Sequence, residues 1–245
     1  MADTSRFSGK VALVTGGSRG IGFAVAEALV AGGAMVVVSG RDQAALSEAH
    51  TRLAALGSGA ADRVAIARGD LREESTSERA VRTTIDRFDG LDVLINNAGV
   101  GRFEDVATLS GDAWREVIET NLNAVFYCCR AAIPLMRQRG SGWIVNISSL
   151  AGSHPFATGA AYCASKAGLD AFTLALMQEL RHDDIRVSVV APGSVGTAFA
   201  GGDRHAAAPW KLTATDVART VIDLLSHETR SLPSRIELRP SKPRK

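Results

Sequence analysis

Apolar residues along this chain gather in short, β-branched runs, separated by longer stretches with helical spacing. The runs Lys10–Thr15, Ala34–Ser39, Val64–Arg68, Leu91–Asn96, Gly142–Ser148 and Ile185–Ala191 are apolar almost throughout, which predicts strands buried on both faces. Between them, helical patterns run over Ile21–Val30, Gln43–Leu56, about 74–88, 112–138, 160–181 and 214–227. Strand–helix alternation with short connections predicts an α/β fold, a doubly wound Rossmann domain with a mostly parallel seven-stranded sheet flanked by helices. The closing strand, Arg235–Arg239, differs: charged residues alternate with Ile236 and Leu238, and Pro240 ends it. That pattern suits an edge strand with one solvated face. No linker divides the chain, so residues 1–245 are expected to form one domain.

Composition narrows the class. Of 245 residues, 46% are apolar and 22% charged, a globular balance. A net charge of +2 argues against nucleic-acid binding as the main activity. No apolar stretch reaches the ~18 residues of a membrane span, and the first residues carry no apolar signal region. Cys128, Cys129 and Cys163 fall in helical patterns without metal-ligand spacing, so they read as reduced core residues. A cytoplasmic enzyme or binding protein, with no metal, is the expectation.

The turn from Thr15 to Gly22 follows the first strand and opens the first helix. A parallel sheet binds a dinucleotide pyrophosphate there, on free amides and the positive helix end. Gly16, Gly20 and Gly22 allow the tight turn and the approach of phosphates, with Ser18, Arg19 and Ile21 between them. The second strand ends at Gly40 and Arg41, where enzymes selective for NAD commonly carry an acid. Arg19 and Arg41 together suit a 2′-phosphate, which predicts NADP(H), with NAD(H) second. Asp42 faces the ribose or caps the next helix.

Tyr162 and Lys166 stand four residues apart on a predicted helix and share a face. An adjacent ammonium favours the phenolate, which equips a tyrosine for proton exchange at ordinary pH. Ser149, at the end of a strand, is placed to hydrogen-bond the same substrate oxygen; its neighbour Ser148 reads as structural.

Thr15–Gly22, Asn96-Asn97-Ala98-Gly99, Asn121, Ser149, Tyr162-x-x-x-Lys166 and Pro192-Gly193 occur in the order and spacing of the short-chain dehydrogenase/reductase family, which residues 8 to 197 resemble. The resemblance implies that Asp70 and Leu71 contact the adenine and that Asn97, Ala98 and Gly99 line the cofactor. It implies that Pro192, Gly193, Val195 and Thr197 hold the nicotinamide carboxamide. Lys166 would lower the Tyr162 pKa and hold the nicotinamide ribose, and Asn121 would hold a water that passes protons to Lys166. The implied activity is NADP(H)-dependent interconversion of a ketone or aldehyde and an alcohol, with Tyr162 as general acid/base. A nucleotide-binding sensor without turnover is the rival class.

Substrate is less determined. Phe103, Phe156, Phe199 and Trp210 lie in segments expected around the nicotinamide, either to take an apolar substrate portion or to pack as core. His154 reads as a pocket or surface residue, and 198–213 as a lid. The end of the chain lacks the glycine-rich Val-Asp-Gly-Gly strand common in the family and carries a basic tail over 240–245. That weakens the 3-oxoacyl-acyl-carrier-protein reductase reading and the usual homotetramer. A homodimer through the helices at 113–137 and 160–180 stays open.

Overall fold

In the computed structural model, which describes residues 6–199 and 208–242, seven parallel strands form one sheet in the order β3-β2-β1-β4-β5-β6-β7. The strands are β1 (Val11–Val14), β2 (Met35–Gly40), β3 (Val64–Arg68), β4 (Val93–Asn96), β5 (Gly142–Ile147), β6 (Ile185–Pro192) and β7 (Arg235–Leu238). The helices are α1 (Gly20–Ala31), α2 (Gln43–Ala54), α3 (Glu74–Phe88), α4 (Gly111–Ile118), α5 (Ala124–Arg139), α6 (Ala160–Leu180) and α7 (Ala214–Leu224). No helix among the described residues is long and apolar enough to cross a membrane.

The apolar strands are apolar because both faces are covered. Ala12 and Val14 of β1 face a core completed by Val25 and Leu29 of α1, Leu46 and Leu53 of α2, and Val217 and Val221 of α7. Leu13, between them, faces the opposite core, where Val81 of α3, Cys128, Cys129 and Met136 of α5, and Leu169 and Leu176 of α6 close the second layer. Burial pushes the Cys128 thiol up to about 11, so it behaves as a small apolar group. The sheet edge at β7 is formed as its alternating pattern predicts, pairing with β6 from Val189 opposite Arg235 to Pro192 opposite Leu238.

One expected element differs. The helix predicted over 112–138 is broken by a π-helical turn, Glu119–Asn123, between α4 and α5. The wide turn admits an extra residue, and Asn121 within it is fully buried with its amide bound to the backbone of Val100. Strand order reverses between β1 and β4, and the carboxyl ends of the strands there carry the motifs of the sequence.

Candidate active site

The glycine turn is braced by the end of β4. Asn97 Nδ2 donates to the carbonyls of Thr15 (2.9 Å) and Gly16 (3.1 Å), and Thr15 Oγ1 accepts from the amides of Asn97 (2.9 Å) and Ala98 (3.1 Å). Gly16 and Gly20 adopt φ of 62° and 58°, the region that favours glycine. A Cβ on Gly22 would collide with the Gly16 carbonyl and the Asn97 amide, and one on Gly16 would lie 2.9 Å from Ala98 Cα. What these glycines leave is a cradle of bare backbone at the N-terminus of α1, with Ile21 packed against the core below it. Thr197 reaches over the same turn, its Cγ2 3.6 Å from where a Gly20 Cβ would stand, and Ser18 Oγ lies beside Gly40.

At the other end of the cradle, Arg19 is exposed at the N-cap of α1 and makes no ion pair among the described residues. Arg41 is also exposed, its Nη1 3.9 Å from Asp70 Oδ2. Asp42 caps α2: its carboxylate accepts from the amides of Ala44 (2.9 Å) and Ala45 (3.1 Å). Asp70 is gripped by Arg72, whose Nη2 donates to Oδ2 at 2.6 Å and whose Nε reaches both oxygens. That guanidinium holds the Asp70 carboxyl below the usual carboxylate range. Leu71 is buried in the second core layer. Arg72 escaped the sequence reading; a cation two residues beyond Asp70 was its only trace.

The four residues of the expected catalytic set meet where β5, α6 and the π-turn converge. Lys166 is 4% exposed and donates from Nζ to the Ile147 carbonyl at 2.8 Å. Burial brings its pKa down to about 8, against the support of Asp170 one helical turn on. Nζ lies 5.9 Å from the centre of the half-buried Tyr162 ring. The Tyr162 phenol is pushed above its ordinary value by burial, while the nearby Ser149 side chain pulls it down. The buried Lys166 ammonium turns to the Ile147 carbonyl, and burial is the larger influence on the phenol. Ser149 Oγ accepts from the Ala151 amide at 3.2 Å, and Ser148 is buried, its hydroxyl 3.5 Å from the Lys166 carbonyl.

Asn121 sits in the π-turn with its side chain fully engaged in protein hydrogen bonds. Its Oδ1 accepts from Val100 N (2.8 Å), while Nδ2 donates to Val100 O (2.9 Å) and Ser165 Oγ (3.0 Å). Ser165 in turn donates to the Tyr162 carbonyl at 2.7 Å. The amide is a brace between the π-turn, the Val100 loop and α6, and both its donors are taken. Gly99 fits between: a Cβ there would lie 3.3 Å from Asn121 Oδ1 and 3.8 Å from Lys166 Nζ.

Three phenylalanines stand at Tyr162. Phe103 packs edge-on to it at 5.6 Å, Phe199 lies 5.6 Å away on a tilted plane, and Phe156 is 5.7 Å from Phe103. They are 46%, 39% and 48% exposed respectively, which rules out ordinary core packing. Trp210 is not part of this cluster; its ring is approached by Lys211 at 5.8 Å. His154 is exposed and pairs with Ser153 Oγ (3.1 Å) and Arg239 (3.4 Å) at the end of the C-terminal strand. Of the expected lid, 200–207 lie outside the described residues. Its base is anchored by Leu212, which donates to Ser194 (3.0 Å) and accepts from Gly196 (2.8 Å), beside the bridge to Val195. Pro192 ends β6, and Gly193 donates to the Leu238 carbonyl at 2.8 Å.

The short chain dehydrogenase profile matches residues 10–208. The chain is 37% identical over 191 residues to a 3-oxoacyl-[acyl-carrier-protein] reductase of Salmonella typhimurium, covering 78% of this chain and 75% of the relative. It is 33% identical to an uncharacterized oxidoreductase of Staphylococcus saprophyticus across 94% of this chain and 97% of that one. Among solved structures, a metagenomic short-chain oxidoreductase in complex with NADP superposes with a TM-score of 0.85 at 35% identity, covering 98% of this chain and all of that one. An alcohol dehydrogenase of Thermococcus sibiricus, complexed with 5-hydroxy-NADP, gives 0.88 at 26% identity over 96% of this chain and 98% of that one. The chain belongs to the short-chain dehydrogenase/reductase family of oxidoreductases.

Proposed function

We propose that this protein is an NADP(H)-dependent oxidoreductase that interconverts a ketone or aldehyde and an alcohol, with Tyr162 as the proton-transfer group. The observation that carries this reading is the convergence of Ser149, Tyr162 and Lys166 beside a glycine turn packed so tightly on Asn97 and Ala98 that Gly16 and Gly22 have no room for a Cβ. The nucleotide relatives named above point the same way. A dinucleotide's pyrophosphate fits the bare amides of Gly20–Gly22, its adenosine fits Asp70 and Leu71, and a 2′-phosphate fits Arg19 and Arg41. Asn97–Gly99 and Pro192–Thr197 flank the nicotinamide half. When bound, the cofactor supplies or accepts the hydride at its nicotinamide ring.

The chain's own groups do the rest. A phenol held above its ordinary pKa keeps its proton through neutral pH, which suits donation to a carbonyl oxygen as negative charge grows there. Ser149 shares that oxygen and steadies the charge. Lys166, its pKa brought down to about 8, lies deep enough to exchange a proton inside the site and to hold a ribose hydroxyl. The exposed rings of Phe103, Phe156 and Phe199 favour a substrate with a bulky apolar or aryl arm against the carbonyl. The Salmonella relative favours a second reading, reduction of a 3-oxoacyl thioester. Exposed Phe126 and Leu174 on α5 and α6 favour a dimer through those helices.

The test is NADPH oxidation across aryl ketones, aliphatic ketones and 3-oxoacyl thioesters. Turnover of the first group above the others supports the reading, thioesters alone would favour the second, and no turnover of any would leave nucleotide binding without catalysis.

A further inference from the structure

Lys166 is a buried cation, and the carboxylate that supports its charge is Asp170, one turn further along α6. Residues four apart on a helix lie one above the other on the same face. Asp170 is itself only 8% exposed, and its Oδ1 has no partner among the described residues. Its Oδ2 accepts from Arg235 Nη1 at 2.8 Å, across 65 residues of sequence. Arg235 is the first residue of β7, the strand that departs from the family's usual ending. Its guanidinium is further held by Glu237 Oε1 (3.3 Å) and Ser153 Oγ (3.2 Å). The charged groups around Asp170 are therefore Arg235 and Glu237 from β7, with Arg239 and His154 beyond them, and Lys166 from its own helix.

The turn after Ser149 packs closely against this helix. A Cβ on Gly152 would lie 2.7 Å from Asp170 Oδ2 and 3.0 Å from the Lys166 carbonyl, so the turn after Ser149 presses bare backbone against both residues. The same strand ends against the cofactor loop, where Gly193 donates to the Leu238 carbonyl at 2.8 Å. β7 thus touches the site at two points, one of them through an ion pair.

We propose that Asp170 and Arg235 are positioning residues: a strut through which the C-terminal strand sets the charge and placement of Lys166. An ionised Asp170 raises the proton affinity of the lysine, and Arg235 tempers that field while fixing the carboxylate in place. The inference rests on the proposed role of Lys166 for its catalytic meaning, but the electrostatic coupling stands independently of turnover.

The chain contains five lysines, so isotopically labelled lysine side chains are resolvable by NMR, with Lys166 assigned by its absence in Lys166→Arg. Its titration is followed in the whole protein. Asp170→Asn removes the supporting anion and moves the Lys166 midpoint down by about one pH unit. Arg235→Gln leaves the anion untempered and moves it up, and Arg235→Lys keeps the cation and the parental midpoint. If Asp170→Asn is poorly folded, the Arg235 pair carries the test. In parallel, the alkaline limb of kcat/KM should follow the same order. An unchanged Lys166 midpoint in both Asp170→Asn and Arg235→Gln, with only a loss of melting temperature, would overturn the strut. A parent without turnover would remove the proposed activity and leave the NMR result to decide the coupling.

Discussion

The Lys166 ammonium donates to the backbone carbonyl of Ile147 at 2.8 Å, a bond that fixes the side chain beneath the carboxyl end of β5. Holding a cation there costs stability. The folded pKa of about 8 lies below the 10.5 of the free side chain, so between those values the unfolded chain holds a proton that the folded one does not. Stability therefore rises with pH through that window and carries the full penalty below it. Lys166→Met should raise the unfolding free energy at pH 7 by an amount on the order of 1–3 kcal/mol, with a matching rise in melting temperature, and the advantage should shrink toward pH 10.5. Thermal melts of both proteins across that range check it; equal gaps at pH 7 and 10 would contradict it.

Tyr162→Phe removes one hydroxyl from a half-buried ring whose packing against Phe103 and Phe199 does not depend on it. Turnover should fall by roughly 10²–10⁴-fold while NADPH affinity and melting temperature stay near the parent's. Steady-state kinetics beside a fluorescence titration separates the two. Parental turnover in the variant would exclude the phenol as proton donor.

Asn121→Ala should act on the fold before it acts on the chemistry. The substitution strips partners from the Val100 amide and carbonyl and from Ser165, inside a π-turn with no exposure at Asn121. Buried groups left unpaired predict a loss of about 2–4 kcal/mol in urea denaturation. A loss of turnover at unchanged stability would instead favour the proton relay expected from the sequence.

That contrast marks what the sequence could reveal. Strands such as Met35–Gly40 were legible because both faces are buried, and a run of valines has no other stable home. The glycine turn and the Tyr162–Lys166 spacing were legible because local geometry sets them. The π-turn was hidden, since Trp114 to Met136 keep a helical apolar pattern on both sides of Asn121 and one extra residue hardly disturbs it. The partners of Lys166 were hidden for a different reason. A lysine's neighbours are set by tertiary packing, and no local pattern ties Ile147 or Arg235 to residue 166.

Arg41 and Arg72 predict a division of labour at the adenosine end. Arg72 satisfies Asp70 with paired hydrogen bonds, leaving Arg41 at 3.9 Å from that carboxylate and open to a phosphate. Arg41→Ala should weaken NADPH roughly 10–100-fold, and NADH much less. Arg72→Ala should also weaken NADPH, because an unpaired Asp70 both repels the 2′-phosphate and draws Arg41 toward itself. Paired titrations with the two cofactors decide it, and equal affinities in the parent would defeat the NADP(H) preference.

Phe103 touches both Tyr162 and Phe156 and keeps nearly half its surface open, so it is the ring best placed to meet a substrate. An aromatic contact is worth about 0.5–1.5 kcal/mol beyond the area it covers, which sets the expected effect of its removal. Phe103→Ala should raise KM for an aryl ketone roughly 3–10-fold with little change in kcat, since the ring binds an arm of the substrate and leaves the proton donor alone. For a ketone too small to reach the ring, KM should stay near the parent's. A uniform fall in kcat for large and small ketones alike would mean that Phe103 orients Tyr162 instead, through the edge-on contact at 5.6 Å.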